Sequence, residues 1–538
     1  MRRPITFSSS ACGRWSVPKQ FLSDQRATLA QARQAYFDGE FERCLVLCDA
    51  VRSNHDATRF EVAMLRARVH VRLDRGDRAL EALRIVAFTA LSVDEFIAAT
   101  MLTGAAYVRL GQKQRGESIL AGVMEKAADA NPTVRAELAL QLGIAKFRLG
   151  EFEEADRLCA GVPSDADVIY ANALEYRGWA AHARYEAAAA SQWFRETLRV
   201  LATCRRRDRY VEAAALYGLA GLCPELMLTE DWPVVEARLR TFDWSASGLA
   251  RWRFWVALAA SMMCETTGDV RGARNWAQRA ENSVESPGHR VVVLCRLAAV
   301  FRGLGELNAH AEFVERAAAV YDTVDVRDLG ADLQQLPLFL AEEVAYTKAG
   351  DDAERLVAQY RQSISPELKN SSGGLVQYGA MERLIEAIVY ESRGNTAHAV
   401  RAFTAAYRAF VGIGYQRRAA AIALRLARLT GKERYVEYAA SALRGSGASF
   451  WMCRDLREMR NGSGPTVTET EMAVLRLIVH GKTYKEIAAV RRSSAKTVGN
   501  HVQSLFRKFG VNSRGELTAA ALHQRTVVLQ HEARPLVE

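Results

Sequence analysis

Near the carboxyl end of the chain, Lys496, Asn500, Gln503 and Arg507 recur at intervals of four, three and four residues. Interleaved with them, Val498, Val502, Leu505 and Phe509 fall at i, i+4, i+7 and i+11. On a helix the two sets lie about 200° apart, so one edge of the segment is apolar and the opposite edge carries amides and cations. No carboxylate occurs between Glu486 and Glu516, whereas a face that only meets water usually mixes both signs of charge. Asn and Gln can each make paired hydrogen bonds to an adenine edge, and Arg can do the same with guanine or hold a phosphate. The chemistry is that of reading a double-stranded nucleic acid, not of breaking bonds.

Such a helix needs neighbours that fix its angle, and the caps place them. Thr468-Glu469-Thr470-Glu471 is a capping box before the apolar stripe Val474, Leu475 and Ile478, which Gly481 closes. Thr483-Tyr484-Lys485-Glu486 is a second box, opening a two-turn helix with Ile487 and Val490. Ser494 caps the third helix, which Gly510 ends, and Ser513-Arg514-Gly515-Glu516 opens a fourth through Leu517 and Leu522. A short helix and a tight turn before the polar-edged helix give the angle that a major groove accepts. From Thr466 to Arg525 there are ten Lys and Arg against four Glu, so this small module carries +6 of the chain's net +10. Concentrated basic charge is what binding a phosphate backbone requires.

The residues of the module, from Val467-Thr468-Glu469-Thr470-Glu471 through Lys485-Glu486-Ile487-Ala488, Ser494-Ala495-Lys496-Thr497-Val498 and His501-Val502 to Lys508-Phe509-Gly510-Val511 and Arg514, resemble the LuxR-type (GerE-like) helix-turn-helix. The resemblance spans about sixty residues. It implies a four-helix module without a wing that binds double-stranded DNA as a homodimer through its last helix, in a bacterial transcription regulator. It also implies that the third helix is the recognition helix, with Gly499, Asn500 and Gln503 facing bases and Lys496, Thr497 and Lys508 near the backbone. Arg507 and Arg514 complete the expected DNA-binding set. Two positions depart from the family pattern: Arg491 stands where an apolar turn residue is usual, and Ser493 where Ile or Val is usual. Val490 is expected to take over the missing core role through a shifted turn.

Upstream, from about Gln25 to Leu443, apolar and alanine positions recur at three and four, and strand-like alternation is nearly absent. Glycines punctuate this region at Gly39, Gly76, Gly111 and Gly150, and again at Gly268, Gly305, Gly350 and Gly394, at spacings of 35 to 45 residues. Each is expected to take the left-handed conformation that ends a helix. A small residue follows five positions later in five units: Cys44, Gly116, Ala155, Ala273 and Ala399. A period of this length with one tight turn per unit marks stacked helical hairpins. The segment Phe147-Arg148-Leu149-Gly150-Glu151-Phe152-Glu153-Glu154-Ala155 resembles a tetratricopeptide unit, while Tyr170 to Gly268 has no clean punctuation. The expected fold class is all-α, a tetratricopeptide-like α-solenoid followed by the four-helix module. The expected organisation is a disordered 1–24, a solenoid over 25–444, a linker over 445–465 in which Phe450 and Trp451 dock back, the DNA-binding domain over 466–525 and a tail over 526–538.

Composition narrows the remaining choices. The 538 residues are 49% hydrophobic and 25% charged, an ordinary soluble balance. Nine scattered cysteines without a CxxC pair suggest neither a disulfide framework nor a zinc ribbon, and Cys44 and Cys48 share a helix face as core residues. The apolar run Phe254 to Cys264 is too short for a membrane helix and reads as buried. Residues 1–15 lack the apolar stretch of a secretion signal. Gly481-Lys482-Thr483 is not a phosphate-binding loop, because Arg476 stands where that motif needs glycine. The expectation is a cytoplasmic regulator, not an enzyme, with no cofactor and no metal. Its partners would be double-stranded DNA, a second copy of itself and an unidentified peptide, protein or small-molecule effector in the solenoid. The rival is an interaction scaffold whose terminal module does not read DNA.

Overall fold

A computed structural model of the chain describes residues 19–52, 55–86, 91–284, 286–325, 333, 335–347, 349–363, 372–461, 469–509, 511 and 513–523. Their regular structure is helical throughout, as the apolar periodicity requires. They fall into two units, one reaching Ile422 and including Ala442–Phe450, the other made of Ala423–Ser441 and the chain from Trp451.

In the first unit α1 (Lys19–Phe37) pairs with α2 (Phe41–Ala50), α3 (Asp56–Arg72) with α4 (Gly76–Leu83), and α5 (Val93–Arg109) with α6 (Lys113–Met124). Then α7 (Pro132–Leu149) pairs with α8 (Phe152–Ala160) and α9 (Val168–Ala183) with α10 (Ala187–Thr203). A looser pair, α11 (Arg209–Glu225) and α12 (Trp232–Thr241), precedes α13 (Ala250–Thr267) with α14 (Val270–Asn282). The series continues with α15 (Pro287–Leu304) and α16 (Leu307–Tyr321), α17 (Leu336–Tyr346) and α18 (Gly350–Ser363), and α19 (Ser372–Ser392) and α20 (Thr396–Gly412). The first helices of successive pairs touch from α1 to α19, which is the solenoid arrangement. α13 contains the apolar run Phe254 to Cys264, and no described helix is long and apolar enough to cross a membrane.

The small residues sit where the helices of a pair approach. Cys44, Ala155, Ala273 and Ala399 are fully buried, and a methyl group on Gly116 would lie 2.5 Å from the Gly104 carbonyl. Cys48 is buried beside Cys44 in the same apolar cluster. Six of the punctuating glycines, Gly39, Gly111, Gly150, Gly268, Gly305 and Gly394, have φ between +75° and +85°. Gly76 and Gly350 differ from expectation, since each is the first residue of its helix and neither is left-handed. At the first of these turns Asp74 takes the positive φ, +56°, and Gly76 instead lets α4 approach α5, where its added Cβ would meet the Ala106 carbonyl at 2.4 Å. The stretch without clean punctuation has the same turns made by other residues: Tyr185 after α9 and Met227 after α11 have φ of +60° and +57°.

The first seven pairs curl back on themselves. The Gly248 N–H donates to the Gly39 carbonyl at 3.0 Å, and Arg72 on α3 holds Asp208, at the start of α11, with both carboxylate oxygens engaged. Helix α1 also begins at Lys19, inside the segment expected to be disordered.

Beyond α20 come α21 (Gln416–Thr430) and α22 (Glu433–Ala442). The expected linker over 445–465 is largely ordered instead. The Gly447 N–H donates to the Thr266 carbonyl at 3.0 Å, and Phe450 is buried with the Arg417 guanidinium 5.2 Å from its ring centre. Residues Trp451–Asn461 form α23, in which Met452 and Leu456 are buried and Asp455 pairs with Arg428 at 2.8 Å. An amphipathic pattern with a buried edge forms a helix wherever a surface covers that edge, even between glycine-rich stretches. The remaining expected linker positions, 462–465, and the tail 526–538 lie outside the described residues.

Candidate nucleic-acid interface

Four helices build the terminal module: α24 (Glu469–Val479), α25 (Tyr484–Val490), α26 (Ala495–Phe509) and α27 (Arg514–His523). Their shared core is Val474, Leu475, Ile478, Ile487, Ala488, Val498, Val502, Leu505 and Leu517, with Phe509 packed against it. The apolar stripe of α26 is thus locked inward. Lys496, Thr497, Asn500, Gln503 and Arg507 are all exposed on the other side. From Lys496 to Arg507 the polar edge runs for about 17 Å at 1.5 Å per residue.

The caps hold the angle. At Thr483 both halves of the box are made: the Glu486 N–H donates to Thr483 Oγ1 at 3.3 Å, and Glu486 Oε2 accepts from the Thr483 N–H at 2.7 Å. That backbone hydrogen bond holds the Glu486 carboxyl below its ordinary pKa. Ser494 Oγ accepts from the Thr497 N–H at 3.0 Å, and Ser513 Oγ from the Glu516 N–H at 3.2 Å. Thr468 and Gly510 lie outside the described residues.

The turn into α26 ends α25 with two crossed hydrogen bonds. The Ser493 N–H donates to the Ala488 carbonyl at 2.9 Å and the Arg492 N–H to that of Ala489 at 3.3 Å, with Arg492 at φ +48°. This is the Schellman termination, built with arginine where glycine is the usual residue. At the two positions that depart from the family pattern, Arg491 is half-buried and Ser493 is exposed. Val490 does not take over a core role. It is 63% exposed, and Ile487 and Ala488 supply the core contacts of α25.

Two of the expected DNA-binding residues are engaged inside the module. Lys508 Nζ pairs with Glu471 of α24, a carboxylate that is itself buried. The Arg514 guanidinium donates to the carbonyls of Lys482 and Ile478, at 2.5 and 3.5 Å, and so ties α27 to the end of α24. No local spacing reveals these ties, because the Lys508 and Glu471 partners stand 37 residues apart. Gly499 lies on the flank of the polar edge, and a methyl group added there meets nothing within 4 Å. Three further cations of the module, Lys482, Lys485 and Arg492, are exposed and were not singled out by the spacing. His501 is half-buried.

Residues 465–521 match the family described as bacterial regulatory proteins, luxR family. The spore germination protein GerE of Bacillus subtilis (strain 168) is 37% identical over 67 residues, which are 12% of this chain and 90% of that protein. The chain belongs to the luxR family. It is a DNA-binding transcription regulator with an all-α architecture, in which a tetratricopeptide-like array precedes the luxR-family module. Among solved structures, a Rap protein complexed with competence and sporulation factor matches with a TM-score of 0.46 at 13% identity, over 68% of this chain and all of that one. The Cut9–Hcn1 hetero-tetramer of APC/C matches with a TM-score of 0.30 at 13% identity, over 94% of this chain and 98% of that one.

Proposed function

We propose that α26 is the recognition helix of this luxR-family regulator, with Asn500 and Gln503 reading base edges. Lys496, Thr497 and Arg507 hold the phosphates on either side, and the Gly499 backbone lies against the duplex. The observation that carries this reading is the exposed, carboxylate-free edge of α26 opposite a fully buried apolar stripe. Lys508 and Arg514 serve mainly to fix the angle of that helix, through the Glu471 ion pair and the carbonyls closing α24. The module acts as a homodimer on two half-sites about one helical turn apart, in the cytoplasm, where DNA is. The solenoid unit binds an effector that governs DNA binding, and no catalytic step is needed for this role. Enrichment of genomic fragments by the full chain tests the reading. Recovered fragments should share paired half-sites, and binding should weaken with salt at a slope of about −0.9 per phosphate contact. Recovery of no common sequence, or a binding that ignores salt, would favour an interaction scaffold.

A further inference from the structure

A cavity of about 510 Å³ lies inside the ring of the first seven pairs, and every first helix from α1 to α13 lends it side chains. A cavity of this size matches a ligand of roughly drug size. One wall is a run of rings in mutual contact. Trp179 lies 5.5 Å from Tyr217 between centres, Tyr217 lies 5.4 Å from Trp252, and Trp252 lies 5.9 Å from Tyr210. Such a wall suits a flat or greasy body.

The polar side of the cavity is unbalanced in charge. Four arginines line it. Arg68 is neutralised by Glu137, and Arg72 by Asp208. Arg109 and Arg148 both turn to a single oxygen of Asp74, at 3.0 and 3.2 Å, so two cations share one carboxylate. The remaining acid of the lining, Glu175, accepts a hydrogen bond from the Trp179 indole. Burial pushes its carboxyl up to about 8, which favours the protonated form at neutral pH, able to donate its own hydrogen. The two guanidiniums of Arg109 and Arg148 against the one Asp74 carboxylate leave positive charge in excess on that side of the lining. A partly buried charge excess attracts a counter-charge far more strongly than an exposed one does.

We propose that this cavity binds a small amphipathic anion, a molecule with one carboxylate, sulfonate or phosphate group beside Arg109 and Arg148 and an aromatic or aliphatic body against Trp179, Tyr217 and Trp252. The proposal names the chemical class of the effector and rests on the reading of the solenoid as the effector-binding unit.

The test titrates the full chain with 8-anilinonaphthalene-1-sulfonate and with N-phenyl-1-naphthylamine, which keeps the rings and lacks the anion. One sulfonate should bind per chain, at least tenfold more tightly than the amine. Trp252→Phe should reduce the fluorescence transferred from protein to dye. Arg148→Gln should weaken the sulfonate tenfold or more and leave the amine unchanged, while Arg393→Gln, on the exposed surface far along the array, should change neither. Equal affinity for the two dyes would overturn the proposal, as would an Arg148→Gln variant that folds normally and binds the sulfonate unchanged. DNA affinity measured with and without saturating sulfonate tests the underlying reading separately. A filled cavity with the expected charge preference and no effect on DNA would uphold the ligand class and refute the control of DNA binding by this unit.

Discussion

Lys496 and Arg507 stand at the two ends of the exposed edge of α26, and neither is needed by the core beneath it. Replacing both with Gln removes two positive charges while keeping length and polarity. If each cation neutralises one phosphate, the slope of log K against log salt becomes shallower by about 1.8, at 0.9 per contact. Relative to 1 M salt, the same slope makes the double variant about 60-fold weaker at 0.1 M on a duplex of any sequence. Lys508→Gln is the contrasting variant. Its charge is held by Glu471, so the slope should stay near that of the parent while the melting temperature of the module falls. The assay is fluorescence anisotropy of a labelled duplex from 0.05 to 0.5 M salt, with thermal unfolding in parallel. A slope unchanged in the double variant, or lowered equally by Lys508→Gln, would refute the assignment of phosphate contacts made from exposure.

Other outcomes follow from the same geometry. Asn500→Ala combined with Gln503→Ala should flatten the preference among sequences in a selection experiment while retaining most of the non-specific affinity. Equal loss on all sequences would remove these residues from base reading. Leu505→Ala, in the centre of the module core, should cost about 2–5 kcal/mol in denaturant unfolding, whereas Val490→Thr, at an exposed site, should change stability by less than about 0.5 kcal/mol. A large cost at Val490 would mean that the turn packs differently from the arrangement described. Glu175 gives a pH dependence whose sign is fixed. Its folded pKa is raised from 4.5 to about 8, so the stability it contributes is complete below 4.5 and is lost as pH climbs towards and through 8. Glu175→Gln should flatten the thermal midpoint of the solenoid between pH 5 and 8.5, and an unaltered profile would show that another group sets it.

The module was legible in the sequence because its signals are local. Capping boxes span four residues, and a helix face repeats every three or four, so Thr483, Glu486 and the stripe Val498, Val502 and Leu505 announce themselves. The hairpin array was legible for the same reason wherever glycine made the left-handed turn. It became illegible at Tyr185 and Met227, where ordinary residues carry positive φ and tertiary packing bears the strain. Distance along the chain hid the rest. The Lys508–Glu471 and Arg72–Asp208 pairs join positions 37 and 136 residues apart. The cavity is made by seven helices, each contributing one or a few residues, so no window of sequence contains it.

Gly499 offers the sharpest separation between what folding needs and what binding needs. Within a helix glycine costs about 1 kcal/mol against alanine, and the fold gives no return for it. The position is helical, and a built methyl group meets no atom within 4 Å. Compare Gly178 and Gly218, where the same methyl would stand 2.6 and 2.4 Å from the Phe194 ring and alanine would force helices apart. The space around Gly499 is open in this structure. On the proposed reading it is filled by the duplex, because Gly499 lies beside Asn500 and between Lys496 and Gln503. Gly499→Ala should therefore raise the stability of the module by about 1 kcal/mol and weaken DNA binding. The two measurements, denaturant unfolding and duplex titration, move in opposite directions only if the backbone at this point touches DNA. A variant that is both more stable and equally tight would place the duplex elsewhere along α26, and the assignment of Asn500 and Gln503 to base edges would have to move with it.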